Sequence, residues 1–438
     1  MDRQACQPTQ PGPPAWQTNP SFPLTVDLGP WTVKLYLCPM ITVDEATRII
    51  LNETRSWGRT KAWLAESVGR VLAENLVSDR DFPPFDRVMY DGIAIRYDDY
   101  AAGQRQFPVV GMQAAGSPPQ VVETEGNCIE IMTGAMLPPG FDTIVQYEWL
   151  DIRDGVATIH PDKKVTRGRH VHHQGMDRRQ GGVIVKPPRI ITAAEINIAA
   201  TIGKSELEVF EVPEAAIIST GDELVDIDET PMAHQIRRSN VFAVATLIGS
   251  FHIGADIMHA DDKEEEIRET LAEALDEYDL IILSGGVSKG KYDHIPKVLD
   301  ALGVQKHFHR VAQRPGKPFW FGTKGDKVVF ALPGNPVSTY VSTLRYVLPW
   351  LRKSLHLEPM TRLRARLKSD FTFEPPLRYF LAVELEVDDT GCLWAIPRQG
   401  QGSGDLANLA LIDGFLELPE DRDFFPAGSA YPLWKFRP

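Results

Sequence analysis

Acidic residues fall beside glycines or hydroxyls at the ends of apolar runs, where a carboxylate can hold magnesium or position a water molecule. Asp86, Asp91 and Thr133-Gly134 occupy one stretch, and Gly175-Met176-Asp177 follows it. Thr220-Gly221-Asp222-Glu223 and Asp261-Asp262 each close an apolar run farther along the chain. In the run DLIILSGGVSKGKYDH, Ser284-Gly285-Gly286 makes a turn in which backbone N–H groups can approach phosphate oxygens. Asp293 ends that segment as a candidate magnesium ligand. Arg310, Arg314 and Lys317 surround a Pro-Gly turn in RVAQRPGKPFWFG, the local positive charge that an oxyanion requires. In FALPGNPVS, Pro333 and Pro336 stiffen a turn, after which Val337 and Ser338 open a helix whose N-terminus can face an anion. Taken singly, each of these is more often a turn or a helix cap. The turns from Thr220 onward share the carboxyl ends of strands in one parallel sheet, and that joint placement points to a ligand site.

Two competing chemistries lose on residue type. Gly285 through Lys291 have the spacing of a nucleotide-binding P-loop, but Tyr292 stands where that motif needs a magnesium-ligating Ser or Thr. His170, His172 and His173 bring no fourth ligand at a metal-site spacing.

The elements that must position these residues change character along 438 residues. Residues 1–38 are rich in Pro and Gln, show no periodicity and read as a flexible extension. Thr42 and Glu45 form a capping-box pattern before the apolar face Val43, Ala46, Ile49, Ile50, Leu51, and the adjacent Met40 is a candidate initiator. Residues 40–82 and 165–211 form an elongated linker domain interrupted by short β-like runs at 83–164, a small inserted β domain. Between 212 and 357 the strands AAIIST, GADIMHA, DLIILSGG and KVVFALPG alternate with helices at 240–250, 263–277, 295–302 and 337–351. That alternation predicts a parallel α/β sheet covered on both faces. Residues 358–438 read as a compact C-terminal β domain. The formal net charge of -13 argues against nucleic acid as a partner. Four scattered cysteines indicate neither a disulfide framework nor a thiolate metal site and fit a reducing cytoplasm. No apolar run has the length of a membrane span, and no signal peptide is expected.

Seven motifs in fixed order, PPFDRVMYDGIAI, IMTGAMLPPGFDTIVQYE, STGDELV, IRRSN, SGGVSKGKYDH, RPGKPFWFG and LPGNPVS, make the chain from Met40 onward resemble the molybdopterin molybdenumtransferases of the MoeA type, which include the E domain of gephyrin. The resemblance implies a multidomain α/β fold with a central MogA-like molybdopterin-binding domain, an inserted β domain and a C-terminal β domain. It implies a magnesium-dependent transferase that inserts molybdenum from molybdate into adenylylated molybdopterin and releases AMP, the last step of molybdenum-cofactor biosynthesis. Residue by residue it assigns catalytic roles to Asp91, Thr133, Glu223 and Asp293. Metal ligation falls to Asp293, Glu223, Asp261 and Asp177. Substrate contacts fall to Ser284, Gly285, Gly286, Ser288, Arg310, Arg314, Lys317, Pro333, Pro336, Arg378 and Ser403. Arg310 and Arg314 stand where lysine is frequent, and Met176 replaces the usual Glu, departures that leave open whether the oxyanion is molybdate or tungstate. A homodimer is implied whose shared site joins Asp91 and Thr133 of one subunit to Glu223 and Asp293 of the other, with the molybdopterin adenylyltransferase as a further partner. Two alternatives remain open at this point: adenylylation of molybdopterin by the α/β domain, and a noncatalytic scaffold.

Overall fold

The protein is described by a computed structural model over residues 24–27, 32–35, 40–287, 294–359 and 363–437. Ser288, Lys289, Lys291 and Asp293 lie outside the described residues, so the expectations placed on Ser288 and Asp293 have no structural counterpart here. Within the stretch read as a flexible extension, Leu24–Asp27 pairs antiparallel with Thr32–Leu35. The short alternation of Leu24 and Val26, then Val33 and Leu35, about Gly29-Pro30 is a hairpin signal that the Pro-rich composition obscures.

Six strands form the central sheet, in the spatial order Ala255–Ala260, Ala215–Thr220, Leu280–Ser284, Lys327–Leu332, Trp320–Lys324, Gln305–His309. The first four are parallel, as expected. The sheet is nonetheless mixed, because Trp320–Lys324 runs antiparallel to both of its neighbours. Sequence reasoning treats the FWFG segment as part of a cationic turn, whereas its aromatic residues have high strand propensity and are fully buried here. Gly322 is required by close packing: a Cβ there would lie 2.4 Å from the Trp320 ring.

Alternating side chains of these strands serve two cores. Ala215, Ile217, Leu280, Ile282, Val328 and Phe330 meet the helix Asn240–Gly249 and the long C-terminal helical stretch on one face. Ala216, Ile218, Ile281, Leu283, Val329 and Ala331 meet the helices Glu264–Glu277 and Ile295–Ala301 on the other. Each fully buried Ile or Leu contributes roughly 1.5–3 kcal/mol, so both helix layers are held firmly to the sheet. The C-terminal helical stretch is α-helical over Pro336–Ser342, π-helical over Thr343–Val347 and α-helical again over Leu348–Ser354.

The helix Val43–Asn52 begins where the sequence places it, with the Thr42 hydroxyl accepting the Glu45 N–H at 3.1 Å. Its apolar side, Val43, Ala46 and Ile50, joins the first core. A four-stranded sheet then combines Arg59–Trp63 and Val71–Leu72 with Arg189–Ile190 and Glu206–Phe210, so its strands come from both sides of the insert. The inserted six-stranded sheet draws all its strands from between Gly92 and Ile159. In the C-terminal region, Arg378–Val387 pairs with both Leu393–Pro397 and Gly414–Leu418, closing five strands into a barrel with its own apolar interior. The protein is thus a multidomain α/β molecule.

Candidate active site

Strand order reverses between Ala215–Thr220 and Leu280–Ser284, and loops leaving the carboxyl ends of such strands diverge to leave a crevice. A cavity of about 1440 Å³ lies there, walled on its far side by the C-terminal barrel through Tyr379 and the loop Gln399–Gly404. Its floor is the Ser284-Gly285-Gly286 turn. Gly285 and Gly286 have φ of +113° and +63°, and a Cβ on them would lie 2.9 Å from the Thr220 carbonyl and 2.5 Å from the Ile295 side chain, respectively. Only glycine fits both positions. Asn240 ties the floor to the adjacent Pro333–Pro336 turn, donating to Ser284 Oγ at 2.9 Å and to the Gly334 carbonyl at 2.7 Å.

Of the residues singled out in the sequence, Glu223, Ser284, Gly285, Gly286, Arg314, Lys317, Pro333, Pro336 and Ser403 line this cavity. Arg237, Arg238, Arg314 and Lys317 face it against the carboxylates of Glu223 and Asp262, an excess of positive charge in an acidic protein. Thr220 also lines it, and its hydroxyl is buried without a hydrogen-bond partner among the described residues. An orphan hydroxyl is costly to bury, and a polar ligand would relieve that cost.

Other expected positions lie elsewhere. The acid at the cavity is Asp262, whose N–H donates to Asp222 at 2.9 Å, while its neighbour Asp261 pairs with Lys263 at 3.2 Å and with His259 at 3.5 Å. Arg310 is not in the cavity wall; it takes a left-handed backbone, φ +90°, and its N–H and carbonyl bond Phe319 and Ile41. The helix after Pro336 does not offer a free first turn, because the Val337 N–H donates to the Ser403 carbonyl at 3.2 Å.

Arg378, expected to contact substrate, does not line this cavity. Its guanidinium donates to Glu417 at 2.8 Å, to Asp44 at 2.9 Å and to both oxygens of Glu420. Arg345 reaches the same Glu417 at 3.1 Å. Burial disfavours the Arg378 charge, but the bond to Glu420 and the charges of Glu417 and Asp44 outweigh it and raise the pKa above the ordinary value. Arg378 therefore fastens the barrel to the first helix through Asp44, and through Glu417 to the π-helical turn.

A second constellation forms in the inserted domain. The Asp91 carboxylate accepts the Thr133 N–H at 2.6 Å, and that bond, with a further one from the Thr133 hydroxyl, lowers its pKa. Asp91 is thus a full anion at neutral pH. Nearby, burial and then the bond to Glu130 push the Tyr147 phenol up to about 12. Neither Asp91 nor Thr133 lines the large cavity of its own chain. Asp177 does not line the large cavity either, and its carboxylate lies 2.9 Å from His172 Nε2.

Three family models match the chain in order: the MoeA N-terminal region (domain I and II) over 41–203, a probable molybdopterin binding domain over 216–353, and the MoeA C-terminal region (domain IV) over 364–436. The molybdopterin molybdenumtransferase of Synechocystis is 40% identical over 399 residues, covering 90% of this chain and all of that one. The chain belongs to the molybdopterin molybdenumtransferase family. The family's representative in Staphylococcus aureus strain Mu50 is 30% identical over 403 residues, 90% of this chain and 95% of its own. Among solved structures, the MoeA protein of molybdopterin biosynthesis from Pyrococcus horikoshii matches with a TM-score of 0.78 and 28% identity, covering 91% of this chain and all of that one.

Several cavity residues escape sequence reasoning because they do their work through neighbours. Asn240 is the last residue of the IRRSN motif, and it reads as an ordinary helix start until both of its bonding partners are known. Gln313 carries no signal that separates it from adjacent residues, and Asp262 is named in the sequence only together with Asp261.

Proposed function

We propose that the cavity binds adenylylated molybdopterin together with molybdate, and that molybdenum is transferred to the dithiolene of the pterin as AMP leaves. The observation that carries this reading is the cavity itself, whose lining brings the glycine turn Ser284-Gly285-Gly286 together with the cationic Arg314–Lys317 turn. The floor suits the phosphates of the pterin substrate. Arg314 and Lys317 suit a tetrahedral dianion, with Arg314 supplying directional donors and Lys317 a point charge.

Magnesium fits the donor set in one mode. Among the described residues no group of three or more His, Cys, Asp or Glu side chains is placed to hold a metal. Magnesium commonly uses one or two carboxylates plus water and substrate phosphate, and Glu223 with Asp262 supplies that many at the cavity. Asp293, by resemblance, is a further ligand. When bound, the ion would neutralise phosphate charge during cleavage of the phosphoanhydride. Glu223 then holds and orients the water network at the phosphate, and Thr220 supplies a hydroxyl toward the substrate. Asp91 and Thr133 complete the site from the second subunit of a homodimer, so each cavity is finished by the partner's inserted domain. The reaction takes place in the cytoplasm, supplied by the adenylyltransferase that makes the pterin adenylate. Among the described residues no helix is long and apolar enough to cross a membrane.

Changing both Arg314 and Lys317 to Ala should raise the KM for molybdate about a hundredfold while the KM for the pterin substrate stays within about threefold, since two charge-assisted contacts are worth roughly 3 kcal/mol together. Steady-state AMP release at varied molybdate measures this. An unchanged molybdate KM would place the oxyanion elsewhere.

A further inference from the structure

The cationic turn of the cavity rests on a buried polar pair to which the transfer chemistry assigns no part. Gln313 has no exposed surface, although it immediately precedes the exposed Arg314. Its side-chain amide donates to the Pro315 and Gly316 carbonyls at 3.1 and 3.3 Å. Its side-chain oxygen accepts the Tyr346 hydroxyl. Tyr346 is 1% exposed and belongs to the π-helical turn Thr343–Val347. Burial raises its pKa well above the ordinary value, so the phenol remains a proton donor throughout the neutral range. Gly316 is confined above this pair: its φ is +88°, and a Cβ would lie 2.8 Å from Gln313 Nε2.

A trans peptide unit points its N–H opposite its carbonyl. Because the Pro315 and Gly316 carbonyls turn toward the buried amide, the N–H groups of Gly316 and Lys317 turn away from it. Among the described residues neither N–H meets a hydrogen-bond partner. The turn that carries them lines the cavity together with the Arg314 and Lys317 side chains. Two successive N–H groups beside two cations form an anion-binding concavity. Without Gln313, the two carbonyls would lose their donors and could rotate toward the anion, replacing attraction with repulsion.

We propose that Gln313, braced by Tyr346, is the positioning residue for the oxyanion. It acts through the peptide units of the Pro315–Lys317 turn and not by touching the anion. This rests on the molybdate reading of the cavity.

The test is calorimetric titration of sodium molybdate into the full-length protein and its Gln313→Leu, Tyr346→Phe and Arg314→Ala variants, with melting temperatures recorded and KM values measured for both substrates. Gln313→Leu should weaken molybdate binding roughly tenfold or more, the equivalent of one or two lost hydrogen bonds, with Tyr346→Phe weaker in the same direction. The pterin KM should stay within about twofold, a selectivity that a merely structural role would not produce. If Arg314→Ala loses affinity while folded Gln313→Leu and Tyr346→Phe bind as the wild type does, the positioning role is overturned and the cavity reading survives. Equal weakening of both substrates, in step with a lower melting temperature, also overturns it. Molybdate binding that is absent, or indifferent to Arg314→Ala, overturns the cavity reading itself and this proposal with it. Should Gln313→Leu fail to fold, Tyr346→Phe decides, since it keeps the buried ring and removes only the hydroxyl.

Discussion

Asp91→Ala and Glu223→Ala proteins, each inactive alone, should regain roughly a quarter of the wild-type sites when mixed and allowed to exchange subunits. Asp91 lies in the inserted domain with its carboxylate bonded to Thr133, whereas Glu223 lines the cavity of the α/β domain. Neither Asp91 nor Thr133 lines that cavity in the same chain, so a partner must bring a second Asp91 if the two are to act together. In a two-fold dimer with a shared site, each site would take one half from each subunit. Random pairing makes about half the dimers mixed, and each mixed dimer holds one intact site and one doubly damaged site. Subunit exchange is followed by native mass spectrometry of differently tagged chains, and activity by AMP release. Proven heterodimers without recovered activity would put Asp91 and Glu223 to work in separate functions or within one subunit.

Arg378→Leu is expected to destabilise the protein by roughly 3 kcal/mol, because it removes one of the two arginines that pair the buried Glu417 carboxylate. Glu417 is 5% exposed and is shared by Arg345, Arg378 and the Trp434 indole, so its charge has few alternatives to these partners. Urea unfolding followed by tryptophan fluorescence reads the loss. The network also carries a pH signature. The bond to Arg378 is the largest influence on Glu420 and lowers its pKa below the ordinary 4.5. A carboxylate held below its unfolded value stabilises the fold above that value, and the contribution is lost as pH falls from 4.5 through the lowered value. Acid sensitivity in this window should therefore be smaller in Glu420→Gln than in the wild type. A normally stable Arg378→Leu protein that bound substrate poorly would return Arg378 to the ligand site and contradict its role as a clasp.

The framework of the fold was legible because it rests on local periodicity. Four strands alternate cleanly between two cores, and Thr42 caps its helix where a Thr-x-x-Glu pattern says it should. The antiparallel strand Trp320–Lys324 was not legible, since four aromatic and small residues after a Pro-Gly turn satisfy a loop reading as well as a strand reading. Positions fixed by backbone geometry carried over well: Gly285 and Gly286 are required at the floor by φ and by close approach, which leaves a trace in residue type. Charged residues carried over less evenly. Asp261 and Asp262 are adjacent acids, and only the direction each takes from the strand end decides which meets the cavity and which meets Lys263. Arg314 and Arg378 are both arginines near glycine- or proline-rich turns, yet one lines the cavity and the other is consumed by three carboxylates from distant parts of the chain. Long-range pairing of that kind has no local signature.

The central claim is that this cavity transfers molybdenum to an adenylylated pterin, and the most direct measurement is AMP release by the purified full-length protein. Adenylylated molybdopterin is supplied with magnesium, in the presence and absence of molybdate, beside a parallel reaction given ATP and free molybdopterin. The account predicts molybdate-dependent AMP release with molybdenum recovered on the pterin, sensitivity to Glu223→Ala, and no consumption of ATP. Turnover of ATP with free molybdopterin, and no response to molybdate, would contradict it and make the protein an adenylyltransferase.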